Sequence, residues 1–405
     1  MTATTTALPA RRLPLGEFVA LMAMLTATVA FSIDSMLPAL PEIGAELSPD
    51  DLNRAQLILT AFVLGMGFGT FFTGPMSDAF GRKPVILGGS ALYALGALLA
   101  WSAPSLEWVL AARLLQGIGA AGPRVAAIAM VRDLHAGREM ARIMSFIMIV
   151  FMIVPAIAPS LGALIIGAFG WRAIFLSFLV FALVTMIWLA LRQTETLAPD
   201  LRRPLRPRLL WSAMVEVVAN PVTRLAILIQ TIAFGMLFGL LSAIQPVFDI
   251  AYGEGDHFPL WFALIAVFSA GGSALNARLI QRMGIRQMVG GVFIIQSVLT
   301  GLMLVALFAG LPARAEFFLV LAWAIGIFVQ GGLTIGNLNA LAMEPMGHIA
   351  GMAASITAAL ATIGSVIIAA PIGLAFDGTA RPVVAGLFVL ALIAAALSRR
   401  IPAAA

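Results

Sequence analysis

The sequence contains no cysteine, so disulfides and thiolate chemistry are excluded. Histidine is nearly absent. His135, His257 and His348 lie far apart near the ends of apolar runs, and no metal site is expected among them. Lysine occurs once, at Lys83. Charge of either sign is scarce, at 11% of 405 residues, while 61% are hydrophobic and the mean hydropathy is +1.03. A soluble domain of that make-up would expose large apolar patches, which leaves a polytopic membrane protein as the natural reading. No glycine loop for ATP phosphates and no clustered nucleophile or metal set is found. A primary pump, a membrane enzyme and a bound cofactor are therefore not expected. The formal charge of +5 does not point to nucleic acid, because the basic residues sit beside apolar segments.

What is present is a succession of apolar runs. A membrane span needs about 20 helical residues. Runs of that kind occupy 15–40, 55–73, 84–101, 108–131, 143–169 and 173–191, then 222–248, 259–279, 288–311, 317–342, 350–376 and 382–397. The first, preceded by Arg11 and Arg12, is longer than the apolar core of a signal peptide. The expected fold is all-α, with twelve transmembrane helices in two six-helix bundles, 1–191 and 222–405. A polar linker at 192–221 joins them, holding Pro199, Pro204, Pro207 and clustered arginines. It reads as amphipathic, or alternatively as a contact for anionic lipid headgroups. Arg11, Arg12, Arg82, Lys83, Arg132, Arg138, Arg142 and the linker arginines fall on one side of the membrane. Only Arg54, Arg172, Arg314 and Arg381 fall on the other. That asymmetry makes the first side, with both termini, cytoplasmic.

The most informative stretch joins the second and third spans: Gly74, Asp78, Gly81, Arg82 and Lys83 in a glycine-bracketed charged turn. Asp78 falls near a helix C-terminus, where the dipole disfavours an anion, so it needs Arg82 or another helix's N-terminus. The matching turn of the second half runs from Gln281 through Gly284 to Arg286. It keeps the glycine and reads as having lost the charge pair.

Inside the spans, Asp34 stands out, because a carboxylate on an apolar helix is a functional candidate by default. Arg113 in the fourth span falls at matching depth, so an Asp34–Arg113 ion pair is possible, with Gln116 one turn on. Arg124 lies eleven residues beyond Arg113, close to three turns, on the same face; two inward arginines suggest a wet cavity. The fifth span carries Pro155, Pro159 and Gly162, suited to a hinge or seal rather than to chemistry. The second half offers only neutral groups of this kind: Gln230, Gln245, Asn337 and Asn339. With phenylalanine and methionine around them, such walls suit an amphiphilic organic molecule better than a small ion.

The charged turn resembles the loop signature G-x-x-x-D-x-x-G-R-K of the major facilitator superfamily. The stretches from Asp34 to Pro41, Arg113 to Gly119, Val131 to Leu134 and Ala158 to Gly162 are similar to one of its groups. So are Gly170-Trp171-Arg172, Gln245-Pro246 and the run from Ala350 to Ser355. That group is the bicyclomycin- and chloramphenicol-resistance (Bcr/CflA) group of twelve-span drug:proton antiporters. The resemblance implies roles in proton coupling for Asp34 and Arg113. It implies that Asp78 and Arg82 stabilise one of the alternating states, in part against the eleventh helix. It makes the Pro155–Gly162 region an antiporter motif, with Ala-Pro-Ser-Leu-Gly-Ala where the stricter form has Gly-Pro-x-x-Gly-Gly. The expected protein is an inner-membrane, proton-coupled exporter of small amphiphilic drugs, acting as a monomer. The alternative is a proton-coupled carrier of one metabolite, such as a nucleoside, amino acid or sugar.

Overall fold

Long apolar runs with few charges leave the backbone one way to satisfy its own polar groups within a membrane, the α-helix. The computed structural model describes residues 13–402, and helices account for its architecture, with no strand among the described residues. Arg11 and Arg12 lie outside the described residues. The helices are α1 (Leu15–Asp34), α2 (Leu40–Leu47), α3 (Leu57–Phe80), α4 (Arg82–Trp101), α5 (Leu106–Leu134), α6 (Gly137–Phe169) and α7 (Arg172–Arg192). Then come α8 (Pro207–Ala219), α9 (Pro221–Pro246), α10 (Phe258–Met283), α11 (Ile285–Ala306), α12 (Ala313–Met343), α13 (Ala350–Leu374) and α14 (Arg381–Ser398). All but the short α2 and α8 are long and apolar enough to cross a bilayer.

Breaks between helices follow local chemistry. The apolar run Ala313–Leu374 is two spans because Glu344–Ile349 forms a 3-10 turn in which Met346 leaves helical geometry at φ −109°, ψ 21°. Proline at 345 and glycine at 347 account for the interruption. Between α3 and α4, Gly81 adopts φ +106°, a region that disfavours any side chain. Gly284 does the same between α10 and α11 at φ +75°.

Within the first half, α3, α4 and α5 pack closely and α1 lies against α5, α6 and α7. In the second, α9 packs on α12, α13 and α14, and α11 on α12 and α14. The halves meet through α3 with α13 and α6 with α10. The most apolar window of α6 is only 22% buried, against 78% for α9, so α6 is a lipid-facing wall and α9 is central. Leu164, Ile295, Leu302 and Ile367 are exposed along the spans, as a hydrocarbon solvent requires. The helix ends at Phe80, Leu134, Arg192, Met283 and Ser398 share one face with the start of α1. That face is rich in arginine; the other holds α2 and the loop Tyr252–His257.

One sequence expectation changes here. The first span does not run unbroken to residue 40: α1 stops at Asp34, passes through a 3-10 turn at Leu37–Ala39 and resumes as α2 to Leu47. Asp34 therefore sits at a helix break, thirteen residues before the end of α2 at Leu47, rather than inside one continuous helix. The turn after α10 has glutamine and isoleucine where its counterpart holds the Asp78–Arg82 pair, but it carries a tie of another kind. Arg286 Nη2 sits 3.0 Å from Glu344 Oε2, tying the start of α11 to the end of α12. This repeats the tie of Arg82 at the start of α4 to Asp133 at the end of α5.

Candidate functional site

The broken end of α1 organises the first cluster. A helix that stops inside the molecule leaves carbonyls of its last turn without partners. Arg113, 0% exposed, supplies one: Nη2 donates to Ser32 O at 3.1 Å, while Nη1 donates to Gln116 Oε1 at 2.6 Å and Nε to Ile58 O at 3.4 Å. Its guanidinium stands 4.3 Å from the centre of the Phe62 ring. The Tyr93 hydroxyl meets that of Ser32 on the same turn. Arg113 thus reaches the level of Asp34 but does not pair with it. Its donors are spent on main-chain oxygens and Gln116. Asp34, 6% exposed, makes no hydrogen bond or ion pair with any described residue. The expected Asp34–Arg113 ion pair is absent in this conformation.

Gly162 of α6 backs this break. A Cβ there would lie 2.1 Å from Ser35 O, so only glycine lets α6 touch the α1 main chain. Pro155 and Pro159 lie on the same helix and leave it unbroken through Gly137–Phe169.

The second cluster is the charged turn. Arg82 Nη1 donates to Asp78 Oδ1 at 2.5 Å and to Ser77 Oγ at 2.7 Å, and Nε to Asp133 Oδ2 at 2.9 Å. The Glu195 carboxylate, just past α7, accepts from the backbone N–H groups of Arg82 and Lys83, both at 3.0 Å. It also accepts from Thr196 N and Leu197 N. An anion on the first N–H groups of α4 satisfies orphan donors and complements the helix dipole. A Cβ at Gly81 would collide with this carboxylate, a second reason for glycine there. Lys83 Nζ reaches Ala190 O at 2.8 Å. Sequence reasoning found Asp78, Gly81, Arg82 and Lys83 but missed Glu195. The only signal was an acidic residue between two threonines directly after a span.

Between the halves lies a cavity of about 460 Å³, reaching the arginine-rich face at Asp78 and Arg132 and closing toward the middle of the molecule. Gly74, Arg124, Gln230 and Asn339 line it, with Phe234 and Ile335 among its apolar walls. The other cavity candidates lie elsewhere. Gln116 is committed to Arg113. Gln245 donates to Asp249 at 3.2 Å near the opposite face. Asn337 ties α12 to α10, with Nδ2 2.7 Å from Asn276 Oδ1.

At the opposite face the halves are joined. Asn53 Nδ2 donates to Leu374 O at 3.2 Å and Phe376 O at 2.7 Å, at the end of α13. The Gln56 amide, with its nitrogen turned to the same side, reaches Gly373 O at 2.7 Å and Ser242 O at 3.3 Å. The molecule is thus tied shut at one face and holds a polar cavity toward the other.

Residues 21–369 match the family model described as Major Facilitator Superfamily. The chain belongs to that superfamily. It is 31% identical to a "Bicyclomycin resistance protein homolog" of Haemophilus influenzae over 344 residues, 84% of each chain. It is 29% identical to a "Chloramphenicol resistance protein" of Pseudomonas aeruginosa over 396 residues, covering 96% of this chain and 91% of that one. Within the superfamily it falls in the bicyclomycin- and chloramphenicol-resistance group. A crystal structure of a D-xylose-proton symporter shares the fold, with TM-score 0.76 at 12% identity over 95% of this chain and 98% of that one. The protein is therefore a multi-pass membrane transporter of the major facilitator fold.

Proposed function

We propose that this transporter exports small amphiphilic drugs across the cytoplasmic membrane in exchange for protons, by alternating access. The carrying observation is a cavity of mixed polar and apolar lining between the two halves, open toward one face, together with a buried acid, Asp34, that has no partner among the described residues. The short-loop charge asymmetry supports assigning the arginine-rich face to the cytoplasm. The cavity then faces the compartment from which a drug is collected, and Asn53 and Gln56 hold the outer side shut. The names of the relatives support a drug as cargo.

In this reading Asp34 carries the proton. An unpaired carboxylate among apolar helices is costly, and a bound proton removes the charge. Arg113 is held on Ser32 O, two residues before Asp34, and would be drawn toward Asp34 once the proton leaves. That exchange of partners would change the packing at the α1 break against α6. The driving force suffices: one pH unit is worth about 1.4 kcal/mol per proton, and 100 mV adds about 2.3 kcal/mol.

Inverted vesicles test the proposal. Wild type is expected to move chloramphenicol under an imposed proton gradient, and Asp34→Asn to lose the coupling. If wild type moves no drug, multidrug export fails and a single-metabolite carrier becomes the leading reading. If Asp34→Asn couples normally, export stands and the proton site is elsewhere.

A further inference from the structure

We infer that the closed end of the cavity is a subsite for an oxyanion, so that the favoured cargo is an amphiphile bearing an ionised acid. Charge is unevenly balanced along the cavity wall. Asp78 and Asp133 stand at the arginine-rich mouth, and Arg82 bonds both. Deeper in, the charged residue is Arg124, on the face of α5 turned to the second half. Its guanidinium has five donors. Among the described residues its one partner is Met66 Sδ, a weak acceptor, at 3.3 Å, and no carboxylate lies within 4.0 Å. The adjacent arginine on this helix, Arg113, shows what a fully bonded arginine looks like here, with three oxygen partners and two aromatic rings around it.

A second, independent group points to a ligand in the same space, one that also carries a donor beside its acid. Gln230 of α9 lines the cavity and is 3% exposed, and its Oε1 has no partner among the described residues. Buried amide oxygens are ordinarily hydrogen-bonded. An unpaired guanidinium and an unpaired amide from opposite halves thus converge on one space. A carboxylate between them takes the arginine fork in a bidentate bond. A neighbouring hydroxyl or amide of the cargo satisfies Gln230. Phe234, Ile335, Ile128 and Ala358 offer apolar wall to the rest of the molecule. A lipophilic cation finds no free carboxylate on this wall and an unneutralised arginine facing it.

Cargo bridging Arg124 and Gln230 also draws α5 toward α9, across the seam that alternating access must rearrange. This deepens the export reading but is tested without transport. Purified protein in detergent at pH 8 is titrated with nalidixate, with nalidixic acid ethyl ester and with tetraphenylphosphonium. The acid is expected to bind about tenfold or more tightly than its ester, and the cation most weakly. Arg124→Gln should erase the acid–ester difference with elution and melting unchanged, and Arg124→Lys should keep part of it. Equal binding of acid and ester overturns the inference, as does tighter binding of the cation, or an undiminished difference in Arg124→Gln. Failure of nalidixate to bind below about 1 mM also overturns it. Proton-driven chloramphenicol flux with no acid preference would keep export and remove the subsite. An acid preference without any flux would keep the subsite and remove export.

Discussion

Arg113 shows how one side chain can be fixed by three different requirements. It fills an orphaned carbonyl of α1, holds Gln116 and lies over Phe62. Truncation to leucine leaves those buried acceptors unpaired, at about 1–3 kcal/mol each. We expect Arg113→Leu to lower the melting temperature in detergent clearly, and Arg113→Lys to lower it less while still impairing flux. An unchanged melt would mean that the three bonds contribute nothing. Glu195 makes a parallel case at the charged turn. Removing its four backbone acceptor contacts by Glu195→Ala should cost about 2 kcal/mol in the same melt, with Glu195→Gln intermediate. Arg113 was legible in the sequence because a charge inside an apolar run announces itself. Glu195 was not, because it sits in a polar segment where a carboxylate is ordinary. Its partners, Arg82 and Lys83, lie 113 and 112 residues away.

At the level of elements, the close approach of α6 to α1 depends on Gly162. Gly162→Ala would press a methyl group onto Ser35 O and push the two helices apart, an overpacking that typically costs about 1–3 kcal/mol. The expected result is a lower melting temperature and slower flux; a variant with wild-type melting and flux would mean that α1 and α6 slide freely. Most helices were readable from length and hydropathy alone, since a bilayer fixes both. The break after Asp34 was not, because the chain resumes as α2 and the apolar pattern continues across the gap. The Arg286–Glu344 tie was hidden for a different reason. It uses the residue after the expected one, and its partner lies at the end of another helix.

For the whole molecule, the question is which face opens. The closed seam opposite the cavity mouth rests on Asn53 and Gln56. Replacing both by alanine should shift the population toward a state open at that face. A chain without cysteine allows a clean reading. A single cysteine at Phe376, buried in this state, should react several-fold faster with a membrane-impermeant maleimide in the double variant. No change in rate would place the outer barrier elsewhere. This seam could not be read from the sequence. Two amides in an exposed-looking stretch carry no mark of a partner more than 300 residues away.

The acceptors in that seam are main-chain oxygens, which substitution at Leu374 or Phe376 leaves in place, whereas at Gly373 a Cβ would fall 2.6 Å from Gln56 Oε1. The closure therefore has a lopsided genetic architecture. The half-exposed Leu374 side chain can change without touching these bonds, whereas the two amides opposite cannot. Spontaneous variants that leak or open too readily at this face should then accumulate at the codons of Asn53, Gln56 and Gly373. Compensating changes should come from positions that restore a donor rather than from the carbonyl side.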